Sequence, residues 1–426
     1  MSSQDDVIRL TDQACRLCAG PLKYSLVDLG MSPLCESFLT AAQLDAPEIF
    51  YPLHARVCAD CYLVQLREYV APDEIFSDYA YFSSYSSSWV EHARRYCHDI
   101  TARLALGGQS QVVELASNDG YLLQHFRPMG IPVLGVEPAA NVAEAALAKG
   151  VPTEIAFFGR QEAQRLVAMG KAADLVIGNN VLAQVPDLDD FVGGIQVLLK
   201  PTGTVTLEFP HLLKLMDGNQ FDTIYHEHFY YFSLATVERL AAKHSLAVYE
   251  VEELPTHGGS LRVYLCHTTN KASLRSSAVN DLLRREQQRG LQDPATYAAF
   301  TEQVQSTKRA LLRFLVDARE AGKRAVGYGA PGKGNTLLNY CGIRTDLIEF
   351  LVDKNPYKHG RFAPGTHIPI YPVEELDRAK PDYIVIMPWN LRDEILQQLQ
   401  YAKQWHAQFV LAIPKLEVIS SVDLAA

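Results

Sequence analysis

The sequence has no apolar stretch long enough to cross a bilayer, and its start lacks the basic-then-apolar pattern of a secretion signal. A cytoplasmic protein with no membrane partner is therefore expected. Positive charge is also in deficit. Against 49 Asp and Glu there are only 39 Lys and Arg, a formal net charge of −10, which argues against nucleic acid as the main ligand because phosphate-backbone readers carry a basic stripe. Cysteine is too sparse for a disulfide scaffold, with eight in 426 residues. No internal repeat or low-complexity tract occurs. What remains, 48% hydrophobic and 21% charged, is the composition of an ordinary soluble protein. Its length predicts two or three domains, since single cores stop growing well below it.

Four of the cysteines are grouped. Cys15-Arg-Leu-Cys18 and Cys58-Ala-Asp-Cys61 are two C-x-x-C pairs with 39 residues between them. Each pair turns two thiolates toward one ion, so two pairs complete a tetrahedral Cys₄ site. Four protein ligands leave no open position, so the expected zinc is structural. Cys35, Cys97, Cys266 and Cys341 have no such spacing and read as small buried residues. This module is expected to span 1–75.

A further absence is local. Residues 112–121, VVELASNDGY, read as a buried parallel strand entering a tight loop, with a helix expected over YLLQHF. The glycines of a G-x-G-x-x-G turn are missing. Ala116, Ser117, Asn118 and Asp119 stand there, and only Gly120 is kept. Nothing in the loop suits a pyrophosphate pressed on backbone. Glu114, just ahead of the turn, suits a ligand with a cationic end, and Glu137 closes the next strand, PVLGVE, where an acid accepts ribose hydroxyls. Together these point to S-adenosylmethionine. Its candidate contacts are Glu114, Ala116, Ser117, Asn118, Asp119, Gly120, Tyr121 and Leu122, then Glu137 and Pro138. Asn179 and Asn180, at the end of strand DLVIGNN, complete the set. The βαβ alternation from 76 to 245 predicts a doubly wound, Rossmann-like domain.

Two stretches offer substrate chemistry. DYAYFSSYSSSW carries Tyr79, Tyr81, Ser83 and Ser84, hydroxyls that can line a polyol or phosphate pocket. Tyr225-His226-Glu227-His228-Phe229-Tyr230-Tyr231 places two histidines about a glutamate among aromatics. A histidine near its ordinary pKa can take and return a proton at neutral pH, and Glu227 can hold an imidazole or accept a sugar hydroxyl. H-E-H lacks the i, i+4 spacing of a helical zinc pair, which favours catalysis over metal binding.

From 246 to 426 a second Rossmann-like domain is expected. His257-Gly-Gly-Ser-Leu-Arg262 precedes a strand, and Arg262 could meet an anion. A charged helical region runs from about Ala272 to Ala321. Then Gly327-Tyr-Gly-Ala-Pro-Gly-Lys333-Gly-Asn335 forms a glycine-rich turn with a lysine, which suits phosphate. The Walker lysine–serine pair is missing, so ATP hydrolysis is not supported. NAD is the rival ligand, with Asp353 as its ribose acceptor.

The paired C-x-x-C knuckles, YAYFSS, ELASNDGYLL, GNNVLAQVPD, YHEHFYYFS, HGGSLR and GYGAPGKG stand in this order. Over nearly the whole chain they resemble the three-domain sugar C-methyltransferases that methylate C-3 of nucleotide-linked 4-keto-6-deoxyhexoses. The resemblance implies that Tyr225, Glu227 and His228 line the sugar site, with His228 as acid/base, and that Tyr79 joins them. It also implies that the C-terminal domain, through His257, Arg262, Lys333 and Asn335, closes over the nucleotide-sugar. One departure is Gln184, where relatives often carry His; glutamine cannot move a proton. The expectation is thus a methyltransferase acting on a nucleotide-linked keto-sugar through an enolate, as a monomer or homodimer. The alternatives are an NAD-linked oxidoreductase or epimerase, and a zinc-ribbon binding protein with inactive Rossmann folds.

Overall fold

Strands Val112–Leu115 and Val133–Glu137 are buried at every position, as expected of parallel strands covered on both faces. In the computed structural model, which describes residues 14–69, 82–270 and 272–421, they are adjacent inner strands of a seven-stranded sheet. Its order is Leu246–Leu254, Ser260–His267, Leu199–Pro210, Ala173–Asn179, Val112–Leu115, Val133–Glu137, Thr153–Ile155. The last five run parallel, and the hairpin of the first two is antiparallel to its neighbour. Val112 packs with Tyr96, Cys97 and Ile100 of helix Ser87–Leu104, while Val113 faces the opposite core. Strand order reverses at Val112–Leu115, which opens a crevice at the carboxyl edge where such sheets bind ligands. The expected boundary at 245/246 falls just ahead of the hairpin, whose two strands pair within this central sheet.

Two local expectations change. After the Ser-Asn-Asp-Gly loop come two short 3₁₀ turns, Leu123–His125 and Arg127–Met129, in place of an α-helix. Pro128 and the left-handed Gly130 (φ 70°) stop helix propagation there, so no α-helix N-terminus faces the loop. The charged region splits into Ser277–Arg289 and Pro294–Glu320 because Gly290, at φ 80°, ends the first helix, and Asp293 with Pro294 starts the second.

The N-terminal module is a four-stranded antiparallel sheet, Tyr24–Ser32, Tyr51–Val57, Val64–Gln65 and Tyr230–Tyr231. Its last strand belongs to the Tyr-His-Glu-His segment. The C-terminal part has six strands in the order Ile370–Pro372, Leu351–Asp353, Ala325–Tyr328, Tyr383–Ile386, Gln408–Leu411, Glu417–Ser420, parallel except the last. The first and last modules meet directly. Leu39 and Phe362 exchange backbone hydrogen bonds of 3.0 and 2.9 Å, and Gly365 N–H and His367 both reach Glu48.

Candidate active site

The two knuckles converge. The four cysteine sulfurs lie within 4.8 Å of one another, with Cys15 Sγ 3.6 Å from Cys61 Sγ and Cys18 Sγ 3.5 Å from Cys58 Sγ. A tetrahedral zinc with Zn–S bonds of about 2.3 Å would set sulfur separations of about 3.8 Å. Leu17 N–H points at Cys15 Sγ and Asp60 N–H at Cys58 Sγ, both at 3.4 Å, and Gln65 Nε2 donates to Cys15 Sγ at 3.2 Å. Such donors stabilise thiolates. The module is also wired to the segment carrying His228. The Arg16 guanidinium donates to the carbonyls of Leu66 and Phe229 and lies 4.6 Å from the Tyr230 ring.

At the crevice the chain turns sharply, with Ala116, Asn118 and Gly120 all at positive φ. Glu137 fastens the turn. One carboxylate oxygen accepts Asn118 N–H and the other accepts Ala139 N–H, both at 2.9 Å, and each keeps a lone pair. Gly135 is required beneath the loop, because a Cβ there would meet Ser117 Oγ at 2.3 Å. Glu114 Oε2, Ser117 Oγ and Asp119 Oδ1 are buried without a hydrogen-bond partner. Burial pushes the Glu114 carboxyl well above the ordinary range, reinforced by Glu137 and Asp119.

Beside this edge half-buried Tyr225, His228, His257, Lys333 and Trp389 come together through the Asn180–His257, Tyr225–His228, Lys333–Trp389 and Gly258–Trp389 contacts, and the space they border is the candidate cleft. His228 stacks on Tyr225 at 4.2 Å between ring centroids, and its Nδ1 lies 3.2 Å from the Thr223 carbonyl. A carbonyl only accepts, so Nδ1 carries the proton and Nε2 holds the basic lone pair. Burial brings the His228 pKa down to about 4. His257, at φ 52°, is held by Asn180 Nδ2 at 2.9 Å and by the edge of Trp89; burial, then Lys333, also lowers it to about 4. Glu227 sits below, with Cys35 Sγ 3.7 Å from its Oε1, and burial followed by the Glu36 charge pushes it up to about 8.

Three family models match the chain in succession: a zinc-binding domain over residues 15–76, a methyltransferase domain over 89–251, and a C-methyltransferase C-terminal domain over 255–414. The C-methyltransferase NovU of Streptomyces niveus is 35% identical over 419 residues, which cover 98% of this chain and 99% of NovU. The chain belongs to this C-methyltransferase family. It is an enzyme dependent on S-adenosylmethionine, and the NAD-linked alternative is not favoured. Among solved structures, the magnesium protoporphyrin IX methyltransferase of Synechocystis is 14% identical, covering 42% of this chain and 81% of its own, with a TM-score of 0.32. An S-adenosylmethionine-dependent methyltransferase of Mesorhizobium loti gives 14%, 41%, 99% and 0.33 in the same order. Likenesses this slight carry no argument about the present chain.

The methyltransferase's own residues fit both groups that its family implies. The four sulfurs match a closed zinc site. Glu114 and Asp119 each have a buried, unpartnered carboxyl oxygen that a cationic ligand end would satisfy, favouring the charged form of Glu114 that burial disfavours, and each Glu137 oxygen keeps a lone pair.

Other expected ligands are placed differently. Arg262 is not open to a substrate anion: its guanidinium is bound to Glu208 at 2.7 Å and Glu252 at 3.0 Å. Asn335 is buried and donates to the Cys35 carbonyl at 2.5 Å, a tie between modules. Ser83 and Ser84 lie on the cofactor loop: Ser83 N–H donates to Asn118 Oδ1, and Ser84 Oγ accepts from Lys149, which also pairs with Asp119. Leu122 is a core side chain and Pro138 is half-buried, while Tyr121 stacks under Trp89. Tyr79 and Tyr81 lie outside the described residues. Among the described residues no helix is long and apolar enough to cross a membrane.

Sequence reasoning missed four groups near the cleft: His92, Glu208, Asp222 and Trp389. Burial pushes Glu208 up, yet His92 at 3.0 Å and Arg262 outweigh it and hold the carboxyl at about 2. One signal could have found it, an acid inside the apolar run TVTLEFP, the pattern that drew attention to Glu114.

Proposed function

We propose that this methyltransferase transfers a methyl group to C-3 of a nucleotide-linked 4-keto-6-deoxyhexose through an enolate. The observation that carries the reading is the neutral His228 imidazole on the wall of the cleft, with its tautomer set by the Thr223 carbonyl. The 35% identity to a C-methyltransferase over the whole length supports carbon as the acceptor.

In this reading the ketone acidifies the adjacent C–H, and His228 Nε2 takes that proton. The electron pair becomes an enolate, whose carbon would take the methyl group, the electrons of the broken S–C bond going to the thioether. The cofactor supplies the electrophilic methyl; Glu137, Glu114 and the Ser117–Gly120 loop would hold it, and Asn180 and His257 stand between that edge and the sugar. Tyr225 contacts the sugar. Glu227, protonated near neutrality, donates a hydrogen bond to a sugar oxygen. The C-terminal glycine-rich turn closes over the nucleotide.

The test is incubation of the purified protein with methyl-labelled S-adenosylmethionine and a panel of nucleotide-linked 4-keto-6-deoxyhexoses, read by mass spectrometry and carbon NMR. Label on C-3 of one panel member, lost in His228→Asn, is expected. Labelling on oxygen, or full activity of His228→Asn, would overturn the reading.

A further inference from the structure

Lys333 is the second residue of helix Gly332–Cys341, and its charge adds to burial in lowering the pKa of His228 and His257. Its Nζ donates to Asn390 Oδ1 at 2.8 Å and lies 4.6 Å from the centre of the Trp389 ring. An ammonium has three donors, and among the described residues no carboxylate lies within 4.0 Å of this one. The acid that does act on it is Asp222, and Trp389 stands between them. The indole Nε1–H donates to Asp222 Oδ2 at 2.7 Å while the ring carries the ammonium on its face. Trp389 is fixed there by Gly258, where a Cβ would meet the indole at 2.5 Å. Gln220 Nε2 donates to the Gly258 carbonyl at 2.7 Å and pins that turn.

Charge accounting follows from this. With both imidazoles neutral, the positive charge beside them is that of Lys333, whose pKa burial lowers and the Asp222 charge raises, with the Trp389 ring between it and that acid. A cation so placed, in a site of low dielectric and with spare donors, is preorganised for negative charge that develops in front of it. The helix N-terminus adds a smaller contribution of the same sign.

We propose that Lys333 is a catalytic residue that stabilises the enolate oxygen formed when His228 removes the C-3 proton, with Trp389 and Asp222 as the positioning pair behind it. This rests on the keto-sugar reading above. The proton moves from carbon to His228, the negative charge moves to the carbonyl oxygen, and Lys333 donates a hydrogen bond to that oxygen without giving up its proton. The rival source of the anion is the diphosphate of the same substrate, and the experiment separates the two.

The measurement is exchange of the C-3 hydrogen for deuterium in D₂O. The enzyme is saturated with S-adenosylhomocysteine, so enolate forms and methyl transfer does not. Lys333→Met is expected to slow exchange at saturating keto-sugar by about 10²- to 10³-fold, with affinity for the nucleoside diphosphate within about twofold of the unaltered enzyme. Lys333→Arg, which keeps the charge, should recover part of the rate, and it also serves if Lys333→Met folds poorly. Trp389→Phe, which loses the hydrogen bond to Asp222, should slow exchange less and leave binding alone. If Lys333→Met exchanges normally at saturation but binds nucleoside diphosphate more than about tenfold more weakly, Lys333 is a phosphate ligand and the enolate assignment is wrong. Unchanged exchange and unchanged binding overturn it equally. Absence of exchange in the unaltered enzyme sinks the keto-sugar reading, and this proposal with it, whereas normal exchange there confines a failure to Lys333.

Discussion

Glu137 closes the Ser117–Gly120 loop and, in the proposed reading, accepts the adenosine ribose, so one substitution tests both roles. Glu137→Ala removes the acceptors of Asn118 N–H and Ala139 N–H together with those for two hydroxyls. Hydrogen bonds to a charged group are worth about 1.5–3 kcal/mol each, so calorimetry should show S-adenosylhomocysteine binding at least about 100-fold more weakly. Retained affinity would remove Glu137 from the site. The carboxyl of Glu227 allows a second test. With Glu227 at about 8 and His228 at about 4, kcat/KM for the keto-sugar should be bell-shaped. It falls in acid as His228 Nε2 takes a proton, and falls above about pH 8 as Glu227 loses the proton it donates. Glu227→Gln keeps a donor that cannot ionise. It should hold substantial activity at pH 7 and abolish the alkaline limb; an unchanged limb would assign that ionisation elsewhere. The two low histidine values also set a stability slope. As pH falls through 6.5 the unfolded chain gains protons that folded His228 and His257 refuse until about 4, so stability drops across that window.

Secondary-structure elements explain which parts of the site were legible in the chain. The knuckles were, because a C-x-x-C pair is a local turn whose geometry is set by its own four residues. Glu114 and Glu137 were, because an acid at the end of an apolar run has only the crevice to face. Arg262 was not. In the folded sheet it lies directly opposite Glu208 on one neighbouring strand and Glu252 on the other; Glu252 is in the same hairpin, but Glu208 is 54 residues away, and that register is not written in either strand. Asn335 was not, since its acceptor, the Cys35 carbonyl, is 300 residues away in sequence. Strand Tyr230–Tyr231 has the same character: it starts two residues after His228 but pairs with Val64–Gln65, just beyond the second knuckle. Metal removal should therefore be felt at the segment that carries His228. Hydrogen exchange after strong chelation is expected to accelerate at 64–66 and 229–231, where Leu66 N–H donates to the Phe229 carbonyl, and to stay slow at 112–115 in the central sheet. Equal acceleration at both places would mean that zinc supports the whole molecule and not this joint.

At the scale of the whole molecule, the cleft exists because three parts of the chain meet around Tyr225–His228. The central sheet brings the cofactor edge, the N-terminal module brings Cys35 and Glu36 beneath Glu227, and the C-terminal turn brings Lys333 and Trp389. The turn sits against the N-terminal module so closely that a Cβ on Gly332 would lie 2.8 Å from Cys35 Sγ. Asn335 locks this contact, and Thr336 Oγ1 adds a bond to the Ile224 carbonyl at 3.2 Å. Asn335→Ala leaves the buried Cys35 carbonyl without that donor, at a cost of about 1–3 kcal/mol. Because Cys35 touches both Glu227 and the turn that carries Lys333, the proposed function predicts that loosening this joint raises KM for the keto-sugar and lowers kcat. The cofactor loop does not touch this joint, so the calorimetric affinity for S-adenosylhomocysteine should stay within about twofold of the unaltered enzyme. An equal loss of both affinities would show that the joint acts through global stability. Loss confined to the sugar side would show that docking of the outer modules on each other assembles the acceptor half of the cleft.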